Sequence, residues 1–283
     1  MGEGMTELQL ARGTHVFLRG RDAVQFGLDA TRAGIIETTH APMIVATLLS
    51  ANRPRSQAEL LSGLCTAGLS AEAARSLIDD LLAYRILIPC AQHSVIVLGR
   101  GPLAETTSTV LRNSGVVVRS PIRGESEFSY LASAEVNAPV LVIDRLAHAK
   151  AMAPMLTRFA RTWLPGAVID RRGLVGPVRI ADRGPCPLCL DLHRTDTDAY
   201  WHRVVTQLPG GPSTPDAVVV AATAAQLAVW ALNLLQIPSP AGVADLVLAP
   251  GSLLNVDPFG SSSRATLTTH PRCPVCFSFN QTR

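Results

Sequence analysis

Two tetrapeptides of one form, Cys186-Pro-Leu-Cys189 and Cys273-Pro-Val-Cys276, constrain this chain more than any other feature. They hold four of its six cysteines and are separated by 83 residues. A CPxC turn lets both thiolates point at one ion, with proline fixing the backbone. Two such knuckles supply four soft ligands, the donor set of a closed tetrahedral zinc site. A redox CxxC needs one pair and gives no reason for a duplicate. Paired disulfides would need an oxidising compartment. Zinc is the leading reading over both. Four sulfurs leave no coordination position for water or substrate, so the expected ion is structural, tying the middle of the chain to its end.

At 283 residues, 47% hydrophobic and 17% charged, the chain can bury a sizeable core and is not disordered. The net charge of +3 comes almost wholly from arginine, since Lys150 is the only lysine. Residues 1–91 carry 8 arginines and 9 acidic residues, and residues 92–283 carry 17 basic and 13 acidic residues. Neither portion is an electrostatic footprint for a phosphate backbone, so no nucleic-acid partner is expected. The N-terminus MGEGMTELQL lacks the charged-then-apolar order of a secretory signal. The apolar run 217–237 is long enough to span a bilayer, but it contains Gln226, Asn233 and Gln236 and lacks cationic flanks. A buried core helix is expected there, with a cytoplasmic protein and no membrane partner.

Residues 14–39 contain three β-rich runs, "THVFLRG", "AVQFGLD" and "GIIETT". Three short helices follow: one from Pro42, one opened by the capping pair Ser56 and Glu59 and stopped at Gly68, and one from Ser70. The third places Ala74, Leu77, Ile78, Leu81 and Leu82 on one face. This pattern predicts a small winged-helix-type domain over 1–91, with Cys65 and Cys90 as ordinary buried thiols.

Residues 92–283 read as an α/β domain. A buried strand at 95–98, the turn Gly99-Arg100-Gly101, a helix from Pro102 and a stop at Gly115 form the first strand–helix unit. "APVLVID" (138–144), "GAVID" and "GPVRIAD" read as further strands, and 149–163 as a helix. "GRGPLA", Gly99 to Ala104, fits the dinucleotide-type glycine pattern in its required context. Two details oppose a nucleotide there. Pro102 lacks an N–H where phosphate would be cradled, and no acid stands about twenty positions on to hold ribose. A tight turn that packs a helix on a sheet is the leading reading. The segment 191–203 is expected to be exposed, and His193, His202, His270 and Asp191 to be surface groups or supports for the cysteines.

Taken in chain order, residues 95–283 resemble the ThiF/MoeB-type adenylyltransferases, the superfamily of ubiquitin-activating enzymes. The resemblance rests on "GRGPLA", the strand ending in Asp144, the run "GLVGPVRIADRGPCPLC", a long alanine-rich helix and the final "HPRCPVC". It implies a Rossmann-like domain with a four-cysteine zinc site. It places a degenerate nucleotide turn at Gly99, Gly101, Ala104 and Asp144. The family's arginine motif cannot be placed between 119 and 138, and every cysteine after 91 sits in a knuckle. ATP is therefore a doubtful cofactor, no residue is assigned a catalytic role, and activity of this chain alone is not expected.

With the small N-terminal domain added, the whole chain resembles the precursor-binding partner of azoline-forming cyclodehydratase systems. That resemblance implies a leader-peptide recognition element in 1–91 and a separate YcaO-type enzyme that cyclises Cys, Ser or Thr. Recognition would be β-augmentation at the edge near 34–39, with Ile35, Ile36, Leu77, Leu81 and Tyr84 as peptide-binding residues. The competing functions are an active adenylyltransferase acting on a small protein's C-terminus and a winged-helix DNA-binding regulator. Glu72, Asp79 and Asp80 on the third helix oppose the regulator. A homodimer is left open.

Overall fold

The computed structural model describes residues 7–29, 34–134 and 137–281. Its contacts divide the chain into two units, Met1–Ala91 with Pro238–Asp245, and Gln92–Ile237 with Leu246–Arg283. The octapeptide 238–245, assigned by sequence to the second domain, therefore packs with the first.

In the first unit, β1 (Glu7–Leu10), β2 (Val16–Leu18), β3 (Ala23–Phe26) and β4 (Ile35–Glu37) precede the helix α1 (Ala41–Ser50). Then come β5 (Arg55–Ser56), α2 (Gln57–Thr66), α3 (Ala71–Ala83) and β6 (Leu87–Pro89). The expected strands form one antiparallel sheet in the order β2-β3-β4. A second sheet, β5-β1-β6, arises from two- to four-residue strands with no readable alternation. Ser56 caps α2 in a complete capping box with Glu59, and Ser70 accepts from the Ala73 N–H at the start of α3. Leu8, Val24, Ile44, Leu48, Leu64, Ile78 and Leu81 form the core, each contributing about 2 kcal/mol by leaving water. Cys65 and Cys90 are half-buried rather than buried, and Cys65 lies at the margin of this core.

The second unit begins β7 (Ser94–Leu98), α4 (Pro102–Asn113), β8 (Val117–Arg119), α5 (Glu127–Ser133) and β9 (Val140–Ile143). It continues α6 (Ala149–Phe159), β10 (Trp163–Ile169), β11 (Arg172–Val175), α7 (Pro187–Thr197) and α8 (Trp201–Val205). Helix α9 (Ala217–Leu234), β12 (Ser252–Val256), β13 (Ser263–Thr266) and α10 (Pro274–Gln281) complete it. The seven-stranded sheet runs β13-β12-β11-β10-β9-β7-β8. Strands β8, β7, β9 and β10 are parallel, and the rest pair antiparallel.

Side-chain alternation assigns the two faces. Val95, Val97, Leu141 and Ile143 point to the face covered by α4 and α9. Ile96, Leu98, Val140 and Val142 point to the opposite face, with α6 and the four knuckle cysteines. The apolar run is thus a core helix: Val219, Val220, Ala224, Leu227, Ala228, Trp230 and Ala231 are buried on the sheet. Gly173 allows this close packing, since a Cβ there would lie 1.9 Å from Thr223 Oγ1.

"GPVRIAD" is not a strand; it makes only the isolated bridges Trp163–Arg179 and Ile180–Arg183, because its chain turns at Ala181 and Asp182 with positive φ. The helix expected over 149–163 stops at Phe159, and Trp163 opens β10. Residues 191–203 are not a uniformly exposed segment. They complete α7 and open α8, and Asp191 is buried where it accepts from Trp201 Nε1 (3.0 Å).

Candidate functional site

Each knuckle stands at a helix start. Cys186 caps α7 with Pro187 as its first residue, and Cys273 precedes Pro274 at the start of α10. Helix N-termini favour negative charge, which suits thiolates. The sulfurs are 3.8 Å apart for Cys186–Cys189 and 3.5 Å for both Cys186–Cys273 and Cys189–Cys276. All four lie within 4.8 Å of one another and are buried. A disulfide needs about 2.05 Å. Four thiolates about 2.3 Å from a tetrahedral ion stand roughly 3.8 Å apart. The four cysteines can therefore hold one metal ion. Hydrogen bonding to Cys189 and Cys276, reinforced by burial, raises the Cys186 thiol far above its usual range, a cost that a bound cation removes.

Behind the second knuckle, buried His270 bonds Asp196 through Nε2 (2.9 Å). The Arg272 backbone N–H donates to His270 Nδ1 (3.1 Å), which fixes the proton on Nε2. The His270 carbonyl accepts from the Cys273 N–H (3.0 Å), so this pair orients the turn that carries the sulfurs. Arg272 also pairs with Asp196. His193 stacks edge-on against His270 at 4.7 Å. Of the four residues singled out near the cysteines, His270 buttresses the Cys273 turn and His193 packs on it, whereas Asp191 and His202 pair with each other and Trp201; the supporting acid, Asp196, gave no sequence signal.

Strand order reverses around β7, whose neighbours are β8 and β9, so the crevice at the carboxyl ends of β7 and β9 is the topological switch point. Gly99 and Asp144 meet there. Gly99 has φ +134°, and a Cβ on it would lie 2.3 Å from the Ile143 carbonyl oxygen. Its glycine is explained by packing alone. Gly101 starts α4, whose first residue is Pro102, and Ala104 is buried in that helix. The Asp144 carboxylate is turned inward: Oδ1 accepts from the Val168 N–H (3.0 Å). A Cβ on Gly211, in the loop 208–216, would fall 2.8 Å from Asp144 Cγ. Burial outweighs the Val168 bond and the Arg145 charge, and the Asp144 carboxyl is pushed up to about 6. Arg145 itself pairs with Glu127 (2.5 Å).

The first unit contains a groove of about 780 Å³. Ile35 and Ile36 of β4, Leu77 and Leu81 of α3 and its C-cap Tyr84 all line it, so the structure brings the five predicted peptide-binding residues together. Leu81 and half-buried Leu77 belong to the floor, whereas Ile35 is 40% exposed and Tyr84 71%. Sequence reasoning missed Leu28, 79% exposed at the rim, and Pro240–Gly242. Among the described residues, the strand edge is also open. Phe26 N–H donates to Gly34 O, and Thr38 N–H donates to Asp22 O. By the two-residue alternation, Gly34, Ile36 and Thr38 face β3, and the backbone groups of Ile35 and Glu37 face away from it.

No protein-family model and no curated protein matches the sequence. Solved structures do match. A heterocyclase in complex with substrate and cofactor aligns over 96% of this chain and 39% of its own, with a TM-score of 0.59 and 16% identity. The heterocyclase TruD aligns over 96% and 43%, with a TM-score of 0.57 and 15% identity. Escherichia coli MccB with MccA aligns over 96% of this chain and 99% of its own, at 0.51 and 13%. The chain has the fold shared by these heterocyclases and MccB. It spans about two fifths of the heterocyclases' length and nearly all of MccB. The heterocyclase–MccB fold here includes both units, since the alignments take in almost the whole chain.

Proposed function

We propose that this protein recognises a precursor peptide and presents it to a separate YcaO-type cyclodehydratase in azole or azoline formation, without catalysing the step itself. The observation that carries the reading is the groove beside β4: an apolar floor, exposed apolar rim residues and a strand edge unpaired among the described residues, all in one place. An extended peptide that adds a strand would bond the Ile35 and Glu37 backbone and set apolar side chains against Leu77, Leu81 and Tyr84. The fold likeness supports it, because the matched heterocyclase is a complex with substrate and MccB is a complex with N-formylated MccA. In the second unit we assign zinc to Cys186, Cys189, Cys273 and Cys276, as a staple that holds α7 and α10 against the sheet. The inward Asp144 and the packing role of Gly99 favour this scaffold over an adenylyltransferase.

The test is selection of peptides from a random phage-displayed library on the full chain, then titration of the selected peptide, fluorescein-labelled, against variants. Tyr84→Ala and Leu28→Ala alter exposed residues and should leave the fold intact, yet weaken binding by about tenfold or more each. Failure to select a peptide, or a selected peptide indifferent to both substitutions, would remove the groove from the account. Peptide-dependent exchange of pyrophosphate into ATP by the isolated protein would instead support the adenylyltransferase.

A further inference from the structure

The octapeptide 238–245 (PSPAGVAD) follows the end of α9 but packs with the first unit, where Pro240, Ala241 and Gly242 line the groove beside Tyr84. Both flanking residues, Ile237 and Leu246, belong to the second unit, and Asn233 Nδ2 donates to the Leu246 carbonyl (2.7 Å) at the base of the excursion. Asp245 closes its far end. It makes a bidentate pair with Arg85, at 2.8 Å from Nη1 and 2.6 Å from Nη2. Hydrogen bonds from Arg85 first, and then from Ser239, hold the Asp245 carboxyl below its ordinary range. Residues 239 and 245 are thus joined as the two sides of a small closed loop.

Arg85 pays for this pair in backbone strain. It follows α3 with φ +59°, and its neighbour's N–H returns to α3 (Ile86 N–H to Leu81 O, 2.8 Å). That is the left-handed position after a helix that glycine normally fills. A long cationic residue there is costlier than glycine in backbone strain, although its charge suits a helix C-terminus. What it gains is a guanidinium aimed at Asp245. Meanwhile the loop keeps little cover of its own: Val243 is exposed, and nothing stands within 4 Å of a Cβ placed on Gly242.

We propose that residues 238–245 are a strap that forms one wall of the peptide groove, latched by Arg85–Asp245, and that the latched strap sets the affinity for the peptide. The inference rests on the peptide-binding reading above. A latched wall is already in place when the peptide arrives, and less ordering remains to oppose binding. Exposed Val243 and Ala241 then supply apolar surface that a peptide with apolar side chains can cover.

The experiment titrates the fluorescein-labelled, library-selected peptide against the full chain, Arg85→Gly, Asp245→Ala, and the exchanged pair Arg85→Asp with Asp245→Arg. Arg85→Gly removes the strain, so its melting temperature should equal or exceed that of the parent while its peptide affinity falls by about fivefold. Asp245→Ala should weaken binding to the same degree, and the exchanged pair should recover to within about twofold of the parent. Unchanged or tighter binding in the two single variants would overturn the strap, tighter binding marking the segment as an obstruction. If Tyr84→Ala weakens binding and the latch variants do not, the strap alone fails. If no peptide binds the parent chain, the groove and the strap fall together.

Discussion

Asp144→Asn is the substitution that most sharply separates a packed carboxylate from a working nucleotide ligand. The structure turns Asp144 toward the Val168 N–H and buries it, raising its carboxyl from 3.8 to about 6. A carboxyl bound more tightly to its proton in the folded state stabilises the fold fully below the unfolded value. That contribution is lost as pH rises through the folded value. The shift corresponds to about 3 kcal/mol, reduced to about 2 kcal/mol once residual solvent screening is allowed for. Asparagine keeps an oxygen for the Val168 N–H, carries no charge, and tolerates the φ of +52° at this position. The variant should therefore be more stable than the parent by about 2 kcal/mol at pH 7–8, and by roughly half as much at pH 5. Urea unfolding of both proteins at pH 5, 6, 7 and 8 measures this difference directly. A gap that stays constant with pH, or a variant less stable than its parent, would refute the inward, charge-penalised Asp144.

Three further outcomes concern the second unit. Cys186→Ser or Cys273→Ser should abolish binding of one zinc per chain, read by elemental analysis, and unfold the second unit, because a buried cluster loses its cation. A folded, metal-free parent protein would contradict the zinc assignment. His270→Ala should speed zinc transfer to a chromogenic chelator by about tenfold or more, since the turn that carries Cys273 loses its anchor to Asp196. Gly173→Ala should cost about 1–3 kcal/mol in chemical denaturation, because its Cβ would collide with Thr223 under α9.

The features legible in the sequence are those whose physics is local. The CPxC turns, the capping box at Ser56 and the strand–glycine–helix unit at 94–113 are written in adjacent residues, and the structure has all three. The groove residues of α3 and its C-cap were legible because helical spacing puts Leu77, Leu81 and Tyr84 on one side. Elements held by distant partners were not legible. β13 (SRAT) is exposed along its length and exists as a strand only because β12 pairs with it. The strap depends on an ion pair between residues 160 positions apart, which leaves no periodicity to detect. At "GPVRIAD" the apolar pattern suggested a strand, but the left-handed turn at Ala181 and Asp182 intervenes. There, backbone conformation overrides hydrophobic pattern.

The central claim is that a peptide joins the sheet at β4, and amide hydrogen exchange at single-residue resolution tests it most directly. In the free protein, the Ile36 and Thr38 amides face β3 and should already exchange slowly, while those of Ile35 and Glu37 face outward and exchange fast. Adding the library-selected peptide should slow Ile35 and Glu37 by about tenfold or more and leave Ile36 and Thr38 nearly unchanged. A bound peptide that leaves Ile35 and Glu37 exchanging as fast as before would contradict strand addition at this edge.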